Sequence, residues 1–398
     1  MKLVAIDIDT IRLGHPLPFV LRGANGVLLA NKGYVIRDRD DLSSLLARGA
    51  ELCVDTEESG DSYRTYLAQM QHMLLAQAPL GQIASMKLPV GQDSGRSSDG
   101  ASDWLALQAR ATQLLRVPDS DDFPQRLLNL HERLQWHCEQ APDAALLALI
   151  YLTGQETRMY SATHAMLVAC VCMLVARETL GWKPRQVARL GQAALSMNVA
   201  MTMLQDQLAL QTDPLTAAQI NAIQDHALHS EALLQRMGMA DPVWLEAVRH
   251  HHSRTPGPLA DRSEGIQMAR LIQRADLFGA RIAPRATRAP MVATAAMQAS
   301  YYDEQRQVDE AGAALVKTLG VYPPGTFVRL ATQEVALVLR RGASAAAPGV
   351  AVVLNREGMP TGELIRRDTA QPQWKVSAAV ARQEVRLQLP LERLLPLV

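Results

Sequence analysis

Four short pieces of sequence decide the fold of this chain: THA at 163–165, DHALH at 225–229, RHHHSR at 249–254 and ARLIQRAD at 269–276. Six of the ten histidines lie between His164 and Asp276, and intervals of about one helix plus a loop separate the pieces that carry them. This spacing is typical of a helical bundle in which each helix contributes one or two ligands to a shared pocket. It predicts that side chains from several helices meet at one site.

Local signals place these pieces on helices. Thr216 followed by Gln219 is a capping box, and Asp241-Pro242 is a cap with proline in the first turn. Apolar residues at helical spacing extend on either side of THA and up to Asp276. The sequence predicts helices over about 159–180, from 216, from 241 and over 265–280.

The order and spacing of these motifs resemble the HD-GYP domain. The resemblance implies an all-helical, metal-dependent phosphohydrolase that opens cyclic di-GMP. It also implies a set of candidate metal ligands in this chain: His164, His226, His251, His252 and Asp276.

The chain departs from the family where the family places its His-Asp pair. Met197 stands for the histidine, Asn198 for the metal-bridging aspartate, and Met201 for a lysine often found there. Tyr160 replaces a glutamate that some members have one turn before the first histidine. The loop 253–258 is shortened and has no tyrosine, so the family's Gly-Tyr-Pro motif is missing.

These losses weaken the chemistry that the family performs. Two cations about 3.5–4 Å apart clamp a phosphate and activate a water, and a bridging carboxylate neutralises both. Asn198 has one neutral carbonyl oxygen, and the Met197 thioether is a poor ligand for hard cations. We therefore name no catalytic residue and list Met197, Asn198 and Met201 as degenerate positions.

Three interpretations of the histidines stay open. His226, His251, His252 and Asp276 could hold a single Fe, Mn or Zn ion, with His164 nearby. Alternatively, the histidines are structural remnants and no metal binds. The third interpretation is an active two-metal phosphodiesterase.

Basic residues follow Asp276. Arg281, Arg285 and Arg288, together with Arg254, could form a rim that grips phosphate oxygens, because guanidinium groups bind them bidentately. The alternative is a solvated, charged loop without a ligand.

The sequence predicts a mainly α protein: an HD-type helical bundle with a small α+β N-terminal domain and a small β-rich C-terminal element. Asn25-Gly26 between apolar runs indicates a hairpin, and a Gly- and Ser-rich stretch near residues 91–100 indicates a flexible linker. Helices resume at Trp104. The predicted divisions are 1–60 (N-terminal domain), 61–103 (helix and linker), 104–318 (helical HD-GYP-like domain) and 319–398 (β-rich region).

Composition narrows the class of protein. The formal net charge is +0, so no global field attracts nucleic acid or an anionic membrane. No apolar run reaches the ~18 residues of a membrane span, and the N-terminus lacks a signal-peptide layout. The four cysteines show no disulfide or zinc spacing, which favours a reducing cytoplasm.

We expect a catalytically impaired HD-GYP-like protein of bacterial cyclic di-GMP signalling. It would act as a nucleotide receptor or as a scaffold for a signalling protein partner. The alternatives are an active metal-dependent cyclic di-GMP phosphodiesterase with a reduced metal site, and a protein-binding module that no longer binds nucleotide. Nucleic-acid binding and a membrane span are not expected.

Overall fold

The structure is a computed structural model. It describes residues 3–5, 21–30, 36, 38, 41–43, 52–55, 99–118, 120–155, 157–254, 257–385, 387 and 389–398. The chain divides into two compact units, Met1–Ala106 and Leu107–Val398.

The first unit contains a four-stranded antiparallel sheet in the order β1-β4-β2-β3. Its strands are β1 (Leu3–Ala5), β2 (Leu21–Gly23), β3 (Leu28–Ala30) and β4 (Leu52–Asp55). Gly26 in the β2–β3 turn has φ 82°, a conformation that glycine adopts without steric cost, and the predicted hairpin is confirmed. Residues 41–43 are helical.

Helices make up most of the remaining described chain. They are α1 (Asp99–Arg116), α2 (Phe123–Gln140), α3 (Pro142–Thr153), α4 (Tyr160–Leu174), α5 (Pro184–Ser196), α6 (Thr202–Leu210), α7 (Ala217–Arg236), α8 (Pro242–His250), α9 (Glu264–Ile282), α10 (Ala293–Tyr301) and α11 (Glu310–Leu319). The prediction that helices resume at Trp104 was wrong, because α1 already begins at Asp99. Residues 91–98 of the predicted linker lie outside the described residues, whereas Asp99 and Gly100 already belong to α1.

Two apolar helices form the core of the second unit. All residues of α4 are buried, and so are those of α3 from Ala145 to Thr153. A π-helical turn, Val175–Thr179, extends α4 before Gly181, whose φ of 65° allows the chain to leave the helix. The helical segment Tyr160–Thr179 is long and apolar enough to cross a membrane, but 94% of its apolar window is buried within the protein. Its hydrophobicity is therefore accounted for by packing.

The C-terminal part is a five-stranded antiparallel sheet in the order β8-β7-β6-β5-β9. The strands are β5 (Phe327–Leu330), β6 (Val335–Arg340), β7 (Gly349–Leu354), β8 (Pro360–Asp368) and β9 (Val376–Val380), and a short helix, α12 (Leu391–Leu394), follows. The central strand β6 is buried on both faces from Val335 to Leu339 and packs against α3. The predicted fold class, mainly α with small β elements at both ends of the chain, is confirmed.

Candidate metal centre

The helices that carry the candidate ligands begin where the sequence predicts. Thr216 and Gln219 form the reciprocal bonds of a capping box, with Gln219 N–H donating to Thr216 Oγ1 over 3.2 Å. Asp241 accepts from the backbone N–H groups of Val243 and Trp244. These caps set the start of α7 and α8, and they therefore set the position of His226 along α7 and of His251 after α8.

Three histidines meet between α7 and the end of α8. One ligand nitrogen from each of His226, His251 and His252 lies within 4.8 Å of the others. His226 and His251 are buried, whereas His252 is exposed. The cluster therefore has a closed inner side and one side that faces solvent.

Hydrogen bonds decide which nitrogen of each buried histidine carries the proton. Nδ1 of His226 lies 2.6 Å from the carbonyl oxygen of Ile223, and Nδ1 of His251 lies 2.6 Å from that of Val248. A carbonyl oxygen only accepts, so both Nδ1 atoms donate and both neutral rings present a lone pair at Nε2. These two Nε2 atoms are 3.1 Å apart. Two lone pairs at that distance repel unless a proton or a cation lies between them.

Burial disfavours a proton in this position. It is the main cause that lowers the pKa of His251 to about 3, and the neighbouring His252 and His226 lower it further. Burial also lowers the pKa of His226, although its bond to Ile223 opposes the shift. Near neutral pH both rings are uncharged. The geometry is that of metal-binding histidines, whose second nitrogen commonly donates to a carbonyl and fixes the ring.

His164 and Asp276 form a pair beside this cluster. Nε2 of His164, which is buried on α4, lies 2.6 Å from Oδ1 of Asp276 on α9. Burial alone would raise the pKa of the Asp276 carboxyl. The hydrogen bond and charge of His164 outweigh burial, and the charges of His252 and His251 add to their effect. Together they hold this pKa well below its usual value. The structure thus brings three of the five predicted ligands, His226, His251 and His252, within 4.8 Å of one another, and it pairs the other two, His164 and Asp276, with each other.

A glycine permits the His164–Asp276 contact. A Cβ on Gly279 of α9 would lie 3.2 Å from Cε1 and Nδ1 of the His164 ring. Nδ1 of His164 is buried and has no hydrogen-bond partner among the described residues. Sequence analysis did not single out Gly279, although it follows Asp276 by less than one helical turn.

The segment 196–201, which carries Met197, Asn198 and Met201, contacts the two helices α7 and α8. Trp244 Nε1 of α8 donates to Ser196 Oγ over 2.9 Å, and Ala200 N–H donates to Ser230 Oγ of α7 over 3.2 Å. Met197 is fully buried, and Met201 is half-buried. Oδ1 of Asn198 is buried without a hydrogen-bond partner among the described residues, so a neutral oxygen is left unsatisfied here.

Three of the four predicted phosphate-binding arginines cluster. Backbone hydrogen bonds of 3.1 and 3.0 Å pair Arg285 with Arg288 across a tight turn after α9. Burial lowers the pKa of Arg288, and the charges of Arg285 and Arg281 lower it further. Arg254 is exposed in the loop after α8, and residues 255 and 256 lie outside the described chain.

Tyr160 connects this arginine cluster to the histidines. Its ring stacks on His164, with centroids 5.5 Å apart and an interplanar angle of 8°. Arg285 donates to the Tyr160 hydroxyl over 2.9 Å, and its guanidinium lies 5.1 Å from the ring centroid. Tyr160 therefore supports His164 and holds an arginine.

These residues fit one cation better than two. Three imidazole nitrogens with a nearby carboxylate are a suitable donor set for Zn²⁺ or Fe²⁺. Positions 197 and 198 add no carboxylate, because Met197 is a buried thioether and Asn198 offers one neutral oxygen.

Comparisons with known proteins give limited matches. No protein-family model matches the chain, and no curated protein matches it. A solved structure described as Bd1817, a HDG"Y"P protein from Bdellovibrio bacteriovorus, is 15% identical, with 79% of this chain and 99% of that chain covered and a TM-score of 0.45.

Proposed function

We propose that this chain is an HD-GYP-like protein of bacterial cyclic di-GMP signalling that binds one divalent metal ion and acts without efficient hydrolysis. The observation that carries the proposal is the pair of Nε2 lone pairs of His226 and His251, 3.1 Å apart and held by carbonyl bonds at both Nδ1 atoms. A bundle without metal would gain nothing from this costly arrangement.

The residues that would hold the metal are His226, His251 and His252, with Asp276 beside them. Iron, manganese or zinc bound there would act as a Lewis acid that polarises a phosphate oxygen. His164 would keep Asp276 ionised and oriented, because its imidazole donates to the carboxylate.

Impaired catalysis follows from the degenerate segment. A second cation needs a bridging carboxylate, and Asn198 supplies at most one neutral oxygen. The protein would then retain a phosphate ligand rather than cleave it. Arg281, Arg285 and Arg288 are our candidates to bind the phosphate groups of that ligand, because their mutual repulsion would be relieved by an anion.

Metal analysis after purification without chelator tests the first part of the proposal. We expect about one divalent ion per chain. His226→Ala should remove it, whereas His229→Ala, which changes an exposed histidine one turn later on the same helix, should retain it. Metal retained by the His226 variant, or absent from the parent protein, would contradict the proposed centre.

Calorimetric titration with cyclic di-GMP, followed by product analysis, tests the second part. We expect saturable binding without turnover, weakened by Arg285→Gln. About two metals per chain with product formation would establish an active phosphodiesterase instead. Metal without nucleotide binding would leave a protein scaffold, and the receptor role would be rejected.

A further inference from the structure

The strand β8 lies at one edge of the C-terminal sheet. Among the residues that the structure describes, β7 pairs with one side of it and no strand pairs with the other. With nine residues it is also the longest described strand, and most of its side chains are exposed. Such an edge presents unpaired backbone N–H and C=O groups, to which another strand can add.

The side chains of β8 decide which strand could add there. Ile365 lies near the middle of the strand and is 40% exposed. Glu363 and Arg367 stand two residues before it and two residues after it, so all three side chains project from the same face of the sheet. Charges usually protect an edge against pairing. Here, however, opposite charges lie symmetrically about an apolar residue, and this pattern is complementary to a second copy of itself.

Antiparallel pairing about Ile365 brings the opposite charges together. In that register Ile365 faces Ile365 of the second copy, and Glu363 faces Arg367 of the second copy on both sides of the two-fold axis. Directly opposite residues have Cβ atoms about 4.5–5.5 Å apart, which is within reach of an ion pair.

Other registers of the two strands lack this complementarity. Parallel pairing in register places Glu363 against Glu363 and Arg367 against Arg367. An antiparallel axis at Glu363, Arg366 or Arg367 sets two identical charges opposite each other, and an axis at Leu364 forms no ion pair across the strands. Like charges directly opposite are destabilising. The charge pattern therefore favours the axis at Ile365.

A second copy would also extend an apolar face of the sheet. Ile365 pairs with Val352 of β7, and Arg367 pairs with Val350. Both valines belong to a buried hydrophobic cluster. Ile365 is thus the exposed margin of that cluster, and an identical isoleucine beside it would remove apolar surface from water.

Arg367 has a donor that a carboxylate of the second copy could satisfy. The Arg367 guanidinium lies 4.8 Å from the ring centroid of Trp374, and its Nε is buried with no hydrogen-bond partner among the described residues. A buried donor without a partner costs free energy. Glu363 of the second copy would lie opposite this guanidinium and could accept from it.

From the open edge, the charge pattern and the apolar margin, we propose that β8 pairs with β8 of a second copy of this chain, antiparallel about Ile365. Arg393 donates to the carbonyl oxygen of Gly362 over 3.2 Å, so the pairing extends over residues 363–367. So short an interface buries less than the roughly 800 Å² per partner of standard interfaces, and we expect a weak dimer with a Kd on the order of 100 µM. The proposal is independent of the metal centre and of nucleotide binding.

Sedimentation equilibrium of the full chain at increasing concentration tests the dimer. We expect the parent protein to dimerise. Glu363→Arg and Arg367→Glu should each raise the Kd by at least about tenfold, because each change loses two ion pairs and sets like charges opposite each other twice. Mixed together, the two variants carry complementary charges at every pair and should form a heterodimer.

Two further variants locate the contact. Glu357→Arg reverses an exposed charge in the turn before β8 and should dimerise like the parent protein. Because Arg367 also contacts Trp374, Ile365→Lys provides a test that leaves this contact in place. It sets two lysines at the axis and should remain monomeric.

Several outcomes would overturn the proposal. One is a parent protein that stays monomeric at ten times the expected Kd. Others are a Glu363→Arg or Ile365→Lys variant that dimerises like the parent protein, and a Glu357→Arg control that loses the dimer. A folded Arg367→Glu variant that does not pair with Glu363→Arg would also contradict it.

Discussion

Replacing Asp309 with alanine should destabilise the second unit far more than replacing Asp241, although both residues perform the same local role. Each is the N-cap of a helix, where its carboxylate accepts backbone N–H bonds, and each pairs with arginine. They differ in burial. The Asp241 side chain is 33% exposed and lies 2.8 Å from Arg189, whereas that of Asp309 is 7% exposed.

Asp309 is surrounded by buried positive charge. It lies 2.6 Å from Arg270 and 3.3 Å from Arg274, and the two guanidinium groups are 5% and 3% exposed. Removing one partner of a buried ion pair costs about 3–5 kcal/mol, because the other charge is left uncompensated. Glu304 stays within 3.2 and 3.0 Å of the two arginines, so we expect the lower end of that range.

The loss of a cap adds about 1 kcal/mol in both variants, and an exposed ion pair adds about 0–1 kcal/mol. Asp309→Ala should therefore cost about 4 kcal/mol in free energy of unfolding, and Asp241→Ala about 1–2 kcal/mol. Asp309→Asn should fall between them, because its amide oxygen still accepts the N–H bond of Gly312.

Urea unfolding followed by tryptophan fluorescence measures the difference, since four of the five tryptophans lie in the second unit. A gap below about 1 kcal/mol between the two alanine variants would refute the reasoning that burial controls the cost.

Three further perturbations test other parts of the structure. Gly191→Ala should lower the free energy of unfolding by about 1–2 kcal/mol, as measured by urea unfolding. The added Cβ would lie 2.6 Å from both His131 Nε2 and Met173 Sδ, and this overpacking outweighs the gain in helix propensity. A more stable variant would contradict the prediction. Burial lowers the pKa of His131 to about 4 from 6.5, so the unfolded chain takes up a proton that the native protein does not, and stability is lost as pH falls from 6.5 towards 4. At pH 5 this loss is about 2 kcal/mol, and His131→Phe should remove it from the pH profile of unfolding; equal profiles would refute the assignment. Finally, the double substitution Met197→His with Asn198→Asp should raise bound metal from about one to about two ions per chain, as measured by elemental analysis, because it supplies a bridging carboxylate; an unchanged ratio would contradict this account of the lost second site.

Much of the helical framework could be predicted because its signals are local. The capping box at Thr216, the cap at Asp241 and the Asn25-Gly26 turn each depend on a few neighbouring residues, and each is present as predicted. Only some strands of the predicted β-rich region 319–398 leave a signal in the sequence. β5, β6 and β7 are apolar runs, but β8 (Pro360–Asp368) is largely exposed and has no alternating pattern to reveal it.

The sequence also indicated which residues would meet, since four motifs at helical intervals place His164, His226, His251, His252 and Asp276 in order along a bundle. It could not indicate their pairing. Contacts between α4 and the chain around α9 decide the pairing. Through them His164 bonds to Asp276, and Gly279 leaves room for the imidazole. Tyr160 stacks on His164 and also holds Arg285.

By itself, the sequence determined the helices and their caps, because these follow from residue type and from neighbours within about one turn. The candidate ligands came from the spacing of the motifs and from the family that these motifs resemble. The tertiary structure decided the protonation pattern of the two buried histidines. Two Nδ1 atoms donate to helix carbonyls, burial keeps both rings uncharged, and their Nε2 lone pairs meet at 3.1 Å. Such an arrangement requires atoms far apart in the chain to be brought within contact distance, and only packing does that.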